Sequence, residues 1–454
     1  MRLRLFLFAT ACCVLGCGND PAKSNAGGST TQTTPSTVAP PTAKPPADVP
    51  PPAPPAPPAP PAPVPVAAKE AALEGHDFTA TGRELALVGA CNEGSVPDGY
   101  SEAMVKKHCA VINAAQAAYA EKWVKPAREF FAERVPAAAA KKVVYPFSGG
   151  DLSTALTVFP DAEEITTMSL EPAGDPRTLS AFNDATKPMT LPKSGKPGKP
   201  SPQAKAALER ALGTVQKELT FLYTVSFSNT LNMIDAMRSG ALPTQLIFGL
   251  SALKVHGYEI VSLRYFTLDD AGAIKYLTDD EVANAPDPTK NMGDRRLMEK
   301  RNRVFANSEL RFRKPGGPIQ VHRHIQADLN DKALTKDPRV VKHLEAKGTV
   351  FAMTKAASYL LSWDSFGIVR GFLTGHATWM VSDATGVAPK WGKPAGFEYE
   401  TYGGFTASHL DSGNGVSKDW RDEWAAQPKR PLKFRFGYYD KNTVDHLVIM
   451  KKKS

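Results

Sequence analysis

No stretch of the 454 residues stays apolar for eighteen positions, so no segment has the length of a membrane-spanning helix. Cysteine is scarce. Of five, Cys12, Cys13 and Cys17 crowd the N-terminus, leaving Cys91 and Cys109 for the rest of the chain, too few for a disulfide-built miniature fold. No basic stripe interleaved with aromatics appears, which removes nucleic acid as a supported partner. No internal repeat is seen beyond residue 67. The charge excess is modest: 55 Lys and Arg against 46 Asp and Glu, or +9, falling to +7 once Arg2 and Arg4 are removed. Such a balance suits an anionic membrane or cell-wall surface without demanding one.

What is present begins at the N-terminus. Arg2 and Arg4 precede an almost wholly apolar run from Leu5 to Leu15, the pattern of a secretory signal. Val14-Leu15-Gly16-Cys17 then resembles the lipobox of bacterial lipoproteins. That resemblance implies cleavage after residue 16 and acylation of Cys17, with several acyl chains at about 0.8 kcal/mol per buried methylene as a durable anchor. The alternative is an ordinary secretory signal, which prefers an Ala-x-Ala-like end that is missing here. Gly18, instead of the Asp that retains enteric lipoproteins at the inner membrane, favours the outer membrane.

Residues 17–67 read as a tether. Sixteen prolines fall between Pro35 and Pro65, so the segment cannot build a core and extends as polyproline II. At ~3.1 Å per residue, fifty residues reach up to ~150 Å, enough to carry a domain through a peptidoglycan layer. Peptidoglycan or other envelope proteins are therefore candidate partners beside the membrane, and a proline-binding protein is the alternative use of the tether.

About 385 residues remain, enough for one large domain or two ordinary ones. A polar, Pro-bearing stretch near 284–303 marks a boundary between an α/β part at 68–285 and an α+β part at 286–454. Strands alternating with helices in the first part predict a Rossmann-like parallel core, with antiparallel hairpins added later. Hairpins are predicted at 258–277, 309–329 and 432–450, and a helix over 100–135 that Pro126 bends or splits. Ser201-Pro202 opens a further helix. Cys91 and Cys109, eighteen residues apart in an exported chain, predict one disulfide worth about 3 kcal/mol by loop closure. Two free thiols or a metal pair are the other readings. His108 is the one nearby ligand type, and helical geometry directs it away from Cys109.

Residues 143–172, VVYPFSGGDLSTALTVFPDAEEITTMSLEP, carry the sharpest motif. Two strands flank a glycine turn and a helix that opens at Asp151 and ends at Pro160. The order resembles the first motif of class I S-adenosylmethionine methyltransferases. That resemblance implies Gly149, Gly150 and Asp151 beneath the amino-acid part of a cofactor, with Ser148 at the turn and Glu171 beside the ribose. A scaffold turn with no ligand is the alternative. Pro146 and the adjacent glycines depart from the methyltransferase pattern, and the cofactor is cytoplasmic.

Three weaker constellations follow. His322 and His324 share one strand face with Gln320, Gln326 and Asp328, a pattern of zinc ligands or of a solvated strand face. Lys355 and Ser358 sit where a strand meets a helix, a possible base and nucleophile, yet no Gly-x-Ser-x-Gly elbow surrounds Ser358. Asp383 lies in a turn-forming run, a candidate acid or base, and Tyr402-Gly403-Gly404-Phe405 reads as a second turn. Residues 145–150, 354–360, 383–387 and 402–403 together resemble a family of exported bacterial proteins to which no activity is attached. The resulting expectation is an envelope binding or assembly protein with no assignable cofactor. A methyltransferase-like or hydrolytic enzyme is the alternative.

Overall fold

The computed structural model describes residues 74–96, 101–136, 141–181, 202–225, 242–288, 295–383, 386–405, 415–437 and 446–453. The signal, Cys17, the tether and Ser201 lie outside the described residues. Ala71–Ser454 forms one compact unit. Among the described residues no helix is long and apolar enough to cross a membrane.

Helix α1 (Thr79–Val88) leads through a loop to α2 (Glu102–Tyr119). A π turn at Ala120–Val124 then passes into α3 (Lys125–Ala132). Pro126, near the start of α3, has no N–H to close an ordinary helical turn. The long predicted helix is accordingly split there. Cys91, after α1, is disulfide-bonded to Cys109 of α2 across a Cα separation of 5.3 Å.

Strand β1 (Lys142–Pro146) runs into the glycine turn, then α4 (Leu152–Val158) and β2 (Glu164–Ser169). β1 and β2 pair in parallel, Val143 opposite Ile165 and Tyr145 opposite Thr167. Helices α5 (Pro202–Val225) and α6 (Thr244–Val255) follow, then β3 (Glu259–Leu268), β4 (Ile274–Tyr276) and α7 (Asp279–Ala283). The polar stretch read as a boundary instead supplies α8 (Arg295–Val304), which leads to β5 (Asn307–Arg313) and β6 (Gln320–Gln326). Beyond these come α9 (Asp331–Lys336), α10 (Arg339–Glu345), β7 (Val350–Thr354), α11 (Gly367–His376) and β8 (Ala377–Ser382). The chain continues with α12 (Pro389–Gly392), β9 (Phe397–Gly403), α13 (Val416–Ala426) and β10 (His446–Lys452).

All ten strands join one sheet in the order β4-β3-β5-β6-β2-β1-β7-β8-β10-β9. The run β6-β2-β1-β7-β8 is parallel. β3, β4 and β5 add antiparallel strands at one side, and β10 runs antiparallel to both β8 and β9. The fold is thus α/β with antiparallel additions. Residues on both sides of the proposed 285/286 division share this sheet, since β5 pairs β3 and β7 pairs β1. Alternation along β1 sends Val143 and Tyr145 to one face and Val144 to the other. Leu85, Ile112, Phe131, Leu156, Leu219 and Phe248 of α1–α6 cover the first face. Leu334, Leu344, Phe372 and Trp420 of α9, α10, α11 and α13 cover the second.

Three expectations are corrected. Residues 432–437 form no strand, and β10 takes β9 and β8 as partners in place of a 432–450 hairpin. Tyr402 and Gly403 end β9 and do not form a turn; Tyr402 is buried and accepts from Arg134 Nε at 3.0 Å. The face of β6 carrying His322 and His324 is not wet. β6 is an internal strand covered by helices, and both imidazoles are buried.

Candidate functional site

Residues read separately from the sequence converge at the carboxyl ends of the parallel strands. The strand order reverses direction between β1 and β7: β1 leads to β2 and β6 on one side, while β7 and β8 follow on the other. In doubly wound sheets that reversal opens the crevice where ligands sit.

On the β7 side lies a buried ion pair. Asp151 caps α4, its Oδ1 accepting from Thr154 N at 3.2 Å and Thr154 Oγ1 at 2.6 Å. Its Oδ2 accepts from Lys355 Nζ at 2.8 Å and Tyr145 Oη at 3.2 Å. Lys355 also donates to Thr154 Oγ1 at 3.2 Å, and its ammonium lies 5.8 Å from the Trp123 ring centroid and 5.5 Å from that of Phe436. Both charged side chains are at most 1 % exposed. Burial and then the Asp151 carboxylate push the Tyr145 phenol well above its ordinary value, with Asp383 adding to the effect. Asp383 is buried beside this cluster, its N–H donating to Thr354 O at 3.3 Å. Ser358 is not paired with Lys355 as nucleophile with base, because its Oγ donates to the Lys355 carbonyl at 2.9 Å.

On the β2 side the turn itself is held from outside. Phe147 has a φ of 59° and Gly149 one of 52°, left-handed values that for Phe cost on the order of 1–3 kcal/mol. Gln245 of α6 donates to Gly149 O at 2.7 Å, and Phe248 packs so closely on Gly150 that an added Cβ would stand 2.1 Å from its ring. Only glycine fits there. With Asp151 committed to Lys355, Tyr145 and Thr154, the turn is braced on every side by protein groups.

Glu171 is the exception. It is fully buried, and neither carboxylate oxygen has a hydrogen-bond partner among the described residues. Its own carbonyl accepts from His324 Nε2 at 2.7 Å, which fixes that tautomer, so His324 Nδ1 accepts from Gln245 Nε2 at 3.1 Å. Gln245 Oε1 is buried without a partner among the described residues. His322 Nε2 and His324 Nδ1 both lie against Thr167 Oγ1, at 2.8 and 3.3 Å. Burial, with the neighbouring His324, holds His322 at about 3, and burial likewise lowers His324. Both rings are therefore neutral wall groups. Asp328, the third ligand considered, is exposed at the end of the strand, and among the described residues the pair joins no group of three metal-ligand side chains.

Gln245 was not singled out from the sequence, whereas Trp123 reads there as a buried position of the helix over 100–135 and is buried. Gln245 had a signal, as an isolated amide at the start of the otherwise apolar run LIFGL. Compared with known proteins, the chain matches no family model, no curated sequence and no solved structure.

Proposed function

We propose that this chain is a lipid-anchored cell-envelope binding protein. Acylated Cys17 and the tether of residues 17–67 hold its α/β unit away from the membrane. That unit takes a small ligand, rich in hydrogen-bond donors or bearing a cationic group, against Glu171. The unpartnered, fully buried Glu171 carboxylate carries this reading. Burying a carboxyl group with neither oxygen hydrogen-bonded costs free energy, so a site holding one is built for something that supplies hydrogen-bond donors or positive charge. Gln245 Oε1 offers a further acceptor, while the neutral His322 and His324 add no competing charge.

Thermal-shift measurements with primary amines, polyols, nucleosides and S-adenosylmethionine test the site. At least one class is expected to raise Tm in the native chain. Glu171→Gln should weaken that ligand about 10- to 100-fold, as loss of a charge-assisted hydrogen bond does, without destabilising the free protein. A Glu171→Gln chain that keeps the full ligand-induced shift would overturn the assignment. Strand order supports a second reading, since the reversal between β1 and β7 is that of nucleotide-binding doubly wound sheets. Binding of S-adenosylmethionine alone within the panel would select the methyltransferase-like site that residues 143–172 suggest. For the anchor, intact-mass analysis after expression in a bacterial host is expected to give a mature N-terminus at acylated Cys17. An unacylated N-terminus at another residue refutes it.

A further inference from the structure

His108 does not turn away from the cysteines. One of its ring nitrogens and the sulfurs of Cys91 and Cys109 all lie within 4.8 Å of one another. The loop after α1 brings this about, because His108 Nε2 donates to Gly89 O at 3.0 Å, two residues before Cys91. That bond fixes the tautomer and leaves the lone pair on Nδ1, which is buried and has no partner among the described residues. A ligating histidine is commonly set in this way, with one N–H on a backbone carbonyl and the other nitrogen free for the metal.

Cys91 and Cys109 line a cleft of about 960 Å³, together with Glu93, Asn113, Gln116 and Lys254, while His108 lies buried behind them. Lys254 donates to the Cys91 carbonyl and to Asn113 Oδ1, at 2.6 Å in the latter case, which holds the Cys91 loop against α2.

We infer that Cys91, Cys109 and His108 form a redox-gated zinc site: a disulfide when oxidised, and a two-thiolate, one-imidazole ligand set when reduced. Reduction is a two-electron step. A water-soluble phosphine takes one sulfur, water hydrolyses the adduct to phosphine oxide, and both sulfurs leave as thiols. Zinc then displaces the two thiol protons and accepts the imidazole lone pair, with a water completing four-coordination.

The test uses the full-length chain with Cys12→Ser, Cys13→Ser and Cys17→Ser, so that Cys91 and Cys109 are its two sulfurs of this kind. After phosphine reduction, Co²⁺ is expected to bind one per chain, with thiolate-to-metal charge-transfer absorption. The oxidised chain should show none. His108→Ala should weaken the reduced site at least about tenfold. X-ray absorption of the reduced, zinc-loaded chain with His108 intact should find two sulfurs at about 2.3 Å and one imidazole nitrogen at about 2.0 Å, a readout independent of how the variant folds. Absence of charge-transfer absorption, or a zinc shell without imidazole, overturns the inference.

Discussion

Replacing Lys355 with methionine is expected to lower the unfolding free energy by about 3–5 kcal/mol, because the Asp151 carboxylate would be left in the core without a cation. Methionine approximates the volume of the lysine stem and keeps apolar contact with Trp123 and Phe436, so the loss reports charge more than packing. Asp151→Asn should cost a similar amount by stranding the ammonium. The double substitution should recover much of both, since asparagine can still cap α4 by accepting from Thr154 N. Guanidinium denaturation of the four proteins closes the cycle. Additive losses would show that the two side chains do not act as a pair.

The second large effect is acid lability. Five histidines are held neutral chiefly by burial: His256 and His322 at about 3, His343 at about 4, and His108 and His324 below their ordinary value. The charge of Arg128 adds to the shift of His256 and that of Lys347 to His343. In the unfolded chain each takes a proton near pH 6.5, whereas the folded chain refuses it. Their stabilising share is therefore complete above about pH 6.5 and lost as pH falls toward 3–4. Three such groups alone give a slope of about 4 kcal/mol per pH unit near pH 5, against a typical total of about 5–15 kcal/mol. Unfolding is expected between about pH 4 and 5.5 in a tryptophan-fluorescence titration. Glu164 acts later. Burial raises its affinity for a proton, but Lys347 and Arg323 outweigh this and hold it at about 2, so its contribution fades only from about pH 4.5 down to 2. An unchanged Tm from pH 7 to 4 would contradict the buried-histidine account.

The parallel core was legible where local chemistry and the tertiary answer agree. Val143-Val144, the paired glycines and a capping Asp specify strand, turn and helix from a few residues, and β1, α4 and β2 appear there. His322 and His324 were misplaced because alternating polar residues describe a wet face unless a helix lies over it. What covers β6 is fixed by distant segments such as α6, whose Gln245 meets His324. The pairing of Lys355 with Asp151 joins residues far apart in the chain, and the sequence offered only two unrelated polar positions. Tyr402-Gly403 looked like a turn because glycine punctuates strands and loops alike. His108 was directed away by helical geometry alone, which omits the backward reach of the loop holding Gly89.

The position of β10 bears on when the protein can finish folding. β10 follows β9 in the chain but lies between β8 and β9 in space. Until it arrives those two strands cannot be joined, and each presents an unpaired edge. β1 likewise waits for β7, about two hundred residues downstream, before its second edge is closed. Such a topology delays completion of the sheet until most of the polypeptide is available. Under the export proposed above, late closure is an advantage, because the sheet is completed only after the last strand has crossed the secretion channel. The same delay leaves open strand edges exposed in the meantime, and these are the surfaces a holding chaperone would have to cover.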